Sequence, residues 1–205
     1  TQTPPFAANM QALEHLKIGR SAPLLLLVPF ILARCSWTGP VGGKEDSGLE
    51  RLAELARDRQ QFRLAQDAWW PNYLLADSLA LANRFEDALH AGYHALALAV
   101  ESGVAVYEQQ SSFVLGYILL SMDDVEGALG VLHDGSERVY GKGMLNAGVM
   151  NTHLLALVLS GRLNDAAALV ARHPQMEDRE LMVPRLGLRA TKALLHLAQG
   201  DAERA

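Results

Sequence analysis

His90 and His94 lie four residues apart in a helical stretch, so both imidazoles share one face. Glu86 and Asp87 are the carboxylates that could join them on a metal ion. Zinc sites take three or four ligands, and the metalloprotease pattern puts a glutamate directly after the first histidine. Ala91, Gly92 and Tyr93 fill the interval here, so the pair reads as a solvated or inter-helix face. Thr38-Gly39-Pro40-Val41-Gly42-Gly43-Lys44-Glu45 has the outline of a phosphate-binding loop. That loop needs a glycine where Thr38 stands and a serine or threonine where Glu45 stands, and a strand before it. The glutamate would repel a phosphate, so the segment reads as an inter-helix loop. Cys35 has no motif partner and reads as a buried structural thiol. No Gly-x-Ser-x-Gly elbow is present. No catalytic residue, metal site or cofactor is predicted.

The elements that hold these residues belong to a chain of 205 residues, half of them hydrophobic, with a formal net charge of -5. Such a chain buries a real core and is not disordered. One cysteine excludes a disulfide framework and suits a reducing compartment. The acidic balance argues against nucleic acid as the main partner. The densest basic group, Arg51, Arg57, Arg59 and Arg63, is interleaved with Glu50, Glu54 and Asp58. That pattern predicts i,i+4 pairing on a solvated helix face. The most apolar run, Ala22 to Ala33, has twelve residues with two prolines between Arg20 and Arg34. It falls short of the ~20 that a membrane span needs and predicts a buried helix. The chain is expected to be cytoplasmic, with no membrane contact.

Four segments repeat. They are Asn83-Arg84-Phe85-Glu86-Asp87-Ala88, Asp123-Asp124-Val125-Glu126-Gly127-Ala128, Gly161-Arg162-Leu163-Asn164-Asp165-Ala166 and Gly200-Asp201-Ala202-Glu203-Arg204-Ala205. Their starts are separated by 40, 38 and 39 residues. Each follows an apolar stretch at helical spacing. The leading Asn, Asp or Gly tolerates the left-handed backbone that ends a helix. An apolar residue then packs under the turn, and the alanine lets a second helix approach the first. One hairpin cannot bury its apolar face alone, so neighbours must stack.

These segments resemble the tetratricopeptide family, in which a turn is followed by a close-packed alanine. Leu115-Gly116 falls at the family's Leu-Gly pair and Ala95 at its second alanine. The period is about 39 rather than 34, and the family's tryptophan and closing proline are missing. Longer, degenerate repeats of this kind resemble the helical region of the large ATP-binding LuxR-type regulators, the group of the maltose-regulon activator. The resemblance covers about Trp70 to Ala205. It implies an all-α, right-handed α-solenoid whose first helices line a concave groove. Carried onto this register, the groove positions are Trp70, Tyr73, Asp77 and Leu81, then Gln110, Phe113, Tyr117 and Ser121, then Asn151 and Leu155. Aromatic area with a few orienting polar groups suits a ligand or peptide. The competing reading is that these residues pack the inside of a tight superhelix.

Along the chain, residues 1–66 are read as N-terminal helices forming a diverged repeat. Helices are expected at Phe6–Gly19, Ala22–Cys35 and Leu49–Gln66, with Pro29 kinking or breaking the second and a Gly/Pro loop at 36–47. Residues 67–205 are read as repeats, with hairpins at about 71–102, 104–140, 144–172 and a truncated 179–205. Gly135 is a possible early stop for the second helix of the middle hairpin. Pro71 is placed in the first turn of its helix, where its missing N–H costs nothing. The absence of an initial methionine and the stop at Ala205 lead to the expectation of a piece of a larger protein. Function is expected to be non-catalytic. The first reading is the sensor region of a bacterial transcription regulator, binding an effector or partner. The alternative is a free-standing interaction scaffold. Direct nucleic-acid contact is not expected, and a homodimer is left open. Fourteen arginines against four lysines accord with a GC-rich bacterial genome.

Overall fold

The structure, a computed structural model, describes residues 47–57, 65–140, 147–173 and 188–203. The helices expected at Phe6–Gly19 and Ala22–Cys35, Cys35 itself and the phosphate-loop lookalike lie outside them. Among the described residues the protein is all-helical. The helices are α1 (Ser47–Arg57), α2 (Ala65–Leu81), α3 (Phe85–Ser102), α4 (Ala105–Ser121), α5 (Val125–Tyr140), α6 (Ala147–Leu159), α7 (Leu163–Arg172) and α8 (Leu188–Ala198). The chain divides into two compact units, Thr1–Gly103 and Val104–Ala205.

All four repeated turns have the same backbone. Asn83 (φ 58°), Asp123 (φ 64°), Gly161 (φ 75°) and Gly200 (φ 80°) each adopt the left-handed conformation. At the first turn the Arg84 amide donates to the Leu79 carbonyl at 2.9 Å and the Asn83 amide to Ala80 at 3.1 Å. The same two bonds recur from Asp124 to Leu119 and Asp123 to Leu120, from Arg162 to Leu157 and Gly161 to Val158, and from Asp201 to His196 and Gly200 to Leu197. This paired arrangement is the Schellman motif, which satisfies carbonyls that a helix end leaves open. The next helix starts at once: the amides of Ala88, Ala128 and Ala166 donate to Arg84, Asp124 and Arg162. Asp124 adds a side-chain cap, its Oδ1 accepting from the Gly127 amide at 2.9 Å.

The small residues sit where helices come closest. Ala88, Ala128 and Ala166 have no exposed surface. Ala95 is buried, as are Leu115 and Gly116. A Cβ on Gly116 would come within 2.7 Å of Leu132 Cγ, so α4 and α5 meet at a distance only glycine allows.

In the first unit, α2 packs along α3 and also against α1. Its core includes Leu52, Trp69, Leu74, Leu79 and Leu98. In the second unit, α4 packs on α5 and on α6, and α5 also packs on α6. The pattern then repeats one hairpin later, with α6 on α7 and on α8, and α7 on α8. Leu115, Ile118, Leu132, Met150 and Leu154 fill that core. Glu126 and Arg162, 36 residues apart, form an exposed ion pair at 2.9 Å. Exposed pairs of this kind contribute little stability.

Several boundaries differ from the sequence reading. Ala65 and Gln66 already belong to α2, and α1 is described only to Arg57. Pro71 is therefore inside α2, not in its first turn. An interior proline costs ~3 kcal/mol or more in lost bonding and crowding. Packing offsets it: Pro71 and Trp69 are buried, and Trp69 stacks on Tyr73 across the proline at 5.0 Å. Gly135 does not end α5, which continues to Tyr140.

Candidate functional site

Two faces of α2 carry different chemistry. At about 100° per residue, Trp70, Tyr73, Asp77 and Leu81 fall on one side, and Asn72, Leu75 and Leu79 on the other. On the first side Trp70, Tyr73 and Asp77 are half-buried and Leu81 is exposed. The Trp70 and Tyr73 rings lie 5.8 Å apart and nearly parallel. Both contact Trp69, which is buried in the core. The outer aromatics are thus anchored from behind.

In the second unit, α4 presents Gln110, Phe113 and Tyr117 half-buried and Ser121 exposed. The Ser121 hydroxyl donates to the Tyr117 carbonyl at 2.9 Å, within its own helix. Asn151 and Leu155 are half-buried on α6, which packs on α4. The structure places the sequence-derived positions of each helix on a common, partly exposed face.

The opposite side of α2 faces a cleft of about 730 Å³ bounded by α1, α2 and the start of α3. Asn72 joins its three walls. Its Nδ2 donates to the Ala68 carbonyl at 2.8 Å and the Ala56 carbonyl at 3.4 Å. Those bonds turn Oδ1 toward His94, 2.9 Å from Nδ1. The amide oxygen can only accept, so the imidazole is the donor at Nδ1. His90 lies further along the same wall and is exposed. His94 thus faces α2 while His90 is exposed, and three His, Cys, Asp or Glu side chains able to hold a metal come together nowhere among the described residues. At the turn end of the cleft, Arg84 binds Asp87 through Nε at 3.0 Å and a terminal nitrogen at 2.7 Å. The i,i+4 pairing expected there involves Arg51, Asp58, Arg59 and Arg63, whose side chains lie outside the described residues; Glu50, Glu54 and Arg57 line the cleft and make no ion pair among the described residues.

Among the described residues, His153 on α6 has a strongly perturbed imidazole. It is 9% exposed, and its Nδ1 has no hydrogen-bond partner among the described residues. Burial, then the positive fields of His133 and Arg172, lower its pKa from 6.5 to about 4. Burial and Arg172 also lower that of His173. Both rings therefore favour the neutral form at pH 7.

Scanned against protein-family models, curated proteins and solved structures, the chain matches none of them. No helix among the described residues is long and apolar enough to cross a membrane.

Sequence reasoning overlooked Asn72 and the cleft. Asn72 reaches partners 16 and 22 positions away. No local spacing signals such a bridge. The sole hint was a polar residue on the side of α2 opposite its aromatic face.

Proposed function

We propose that the chain is a non-catalytic binding region built from tetratricopeptide-like repeats in a right-handed α-solenoid. The observation that carries this reading is the set of four identically bonded turns at intervals of 38 to 40 residues. Packing in the second unit supports it. There each hairpin's first helix touches the next first helix, and its second helix touches that same neighbour. Nearest-neighbour packing of this kind is how helical repeats stack. Each unit presents its own binding face, Trp70, Tyr73 and Asp77 in the first and Gln110, Phe113, Tyr117, Ser121 and Asn151 in the second. They combine aromatic area with polar groups that orient a ligand. By its resemblance to LuxR-type regulators, the chain acts in the bacterial cytoplasm as the sensing arm of a transcription regulator. Binding there shifts a two-state equilibrium through different affinity for the two states. The alternative is a free-standing scaffold, favoured by aromatic faces that suit the apolar side chains of a peptide.

A random peptide library panned on the purified chain supplies the probe. Trp70→Ala and Tyr117→Ala each abolish binding of the selected peptides and leave far-ultraviolet circular dichroism unchanged. Loss of helicity together with binding would mean that these residues are core, and the surface assignment would be dropped.

A further inference from the structure

We propose that the cleft between α1, α2 and α3 is a second binding site, for a short peptide of two to four residues with free termini. This site uses the side of α2 opposite the aromatic face and does not depend on the assignment above. Its volume, about 730 Å³, lies in the range of small-molecule sites. Leu49, Ala53, Leu75, Leu79 and Ala91 provide an apolar floor for a side chain.

The charges around that floor specify the ligand. Arg84 and Asp87 are committed to each other. Glu50, Glu54 and Arg57 are exposed, line the cleft and make no ion pair among the described residues. Two carboxylates one turn apart suit an ammonium group, and the guanidinium suits a carboxylate through paired hydrogen bonds. Arg57 is three residues from Glu54 and seven from Glu50, about 5 and 10 Å along the helix. Two to three extended residues span that range. Asn72, bonded to His94 and to the Ala56 carbonyl, holds the Arg57 end of the cleft in place. A ligand with only one charge would leave one end of this lining unmatched. A zwitterion of peptide length matches both.

Titration calorimetry of the full chain with Ala-Leu-Ala tests this. The free tripeptide gives saturable binding, and acetylating its amine or amidating its carboxylate weakens it about tenfold each. The double variant Glu50→Gln, Glu54→Gln weakens the free tripeptide about tenfold but not its acetylated form. Arg57→Gln does the same for the free and amidated forms. Trp70→Ala and Tyr73→Ala leave all of these affinities unchanged. The proposal is overturned if no saturable heat appears up to about 10 mM peptide. It is equally overturned if capped and free peptides bind alike, or if binding follows Trp70 and Tyr73 instead of the charged residues.

Discussion

His153 and Gly116 show how single residues are governed by their surroundings. A histidine whose folded pKa is about 4 stays neutral where the unfolded chain, at 6.5, takes up a proton. The unfolded state then binds more protons between those values, so stability rises with pH across that window. Above pH 6.5 the contribution is complete, and it is lost as the pH falls toward 4. The full effect is about 3 kcal/mol at most. Urea unfolding at pH 7.5 and pH 5 should show a clear loss at the lower pH, and His153→Gln should remove most of that difference. An unchanged difference in the variant would assign the acid sensitivity elsewhere. At Gly116 two effects compete. Alanine gains about 1 kcal/mol of helix propensity. Its Cβ, however, meets a fully buried Leu132 at 2.7 Å, and overpacking costs about 1–3 kcal/mol. Gly116→Ala should therefore destabilise the protein, yet stabilise it in a Leu132→Ala background. A double-mutant cycle in urea reads that coupling directly.

The helical hairpin is the element that the sequence specifies best, and its turns show why. Left-handed backbone is nearly free for glycine and costs other L-residues ~1–2 kcal/mol, with Asn and Asp the best tolerated. Asn83, Asp123, Gly161 and Gly200 are drawn from that short list, so the turns were legible from residue type alone. A Cβ on Gly161 would touch nothing within 4 Å. Gly161→Ala should thus destabilise by about 1 kcal/mol through the backbone alone. Asn83→Gly and Asp123→Gly should be neutral or mildly stabilising. Thermal unfolding of the three variants checks the order. A gain on Gly161→Ala would contradict the left-handed turn. The start of α2 was illegible for the opposite reason. Pro71 reads locally as a first-turn residue, but the helix starts six residues earlier, and Trp69 stacked on Tyr73 and Asn72 bonded to the Ala68 carbonyl bridge the proline. Likewise Gly135 has the right type to stop a helix, and α5 passes through it.

For the whole molecule, the helical class and the four left-handed turns were readable, whereas the cleft was not. Trp70, Tyr73, Phe113 and Tyr117 came from a family register, and their half-buried state follows from periodicity. The cleft arises because three helices separated in sequence converge on Asn72. Asn72→Ala removes that junction and leaves the half-buried His94 without its acceptor, a loss of about 1 kcal/mol. It should also weaken tripeptide binding in the cleft while sparing library peptides that depend on Tyr117. The assignment as a sensing arm is decided by what the same gene encodes around this segment. Sequencing the coding DNA on both sides is the measurement to make. A phosphate-binding loop upstream and a helix-turn-helix downstream are the predicted result. A start codon immediately before Thr1 with a stop after Ala205 would contradict it and leave a free-standing scaffold.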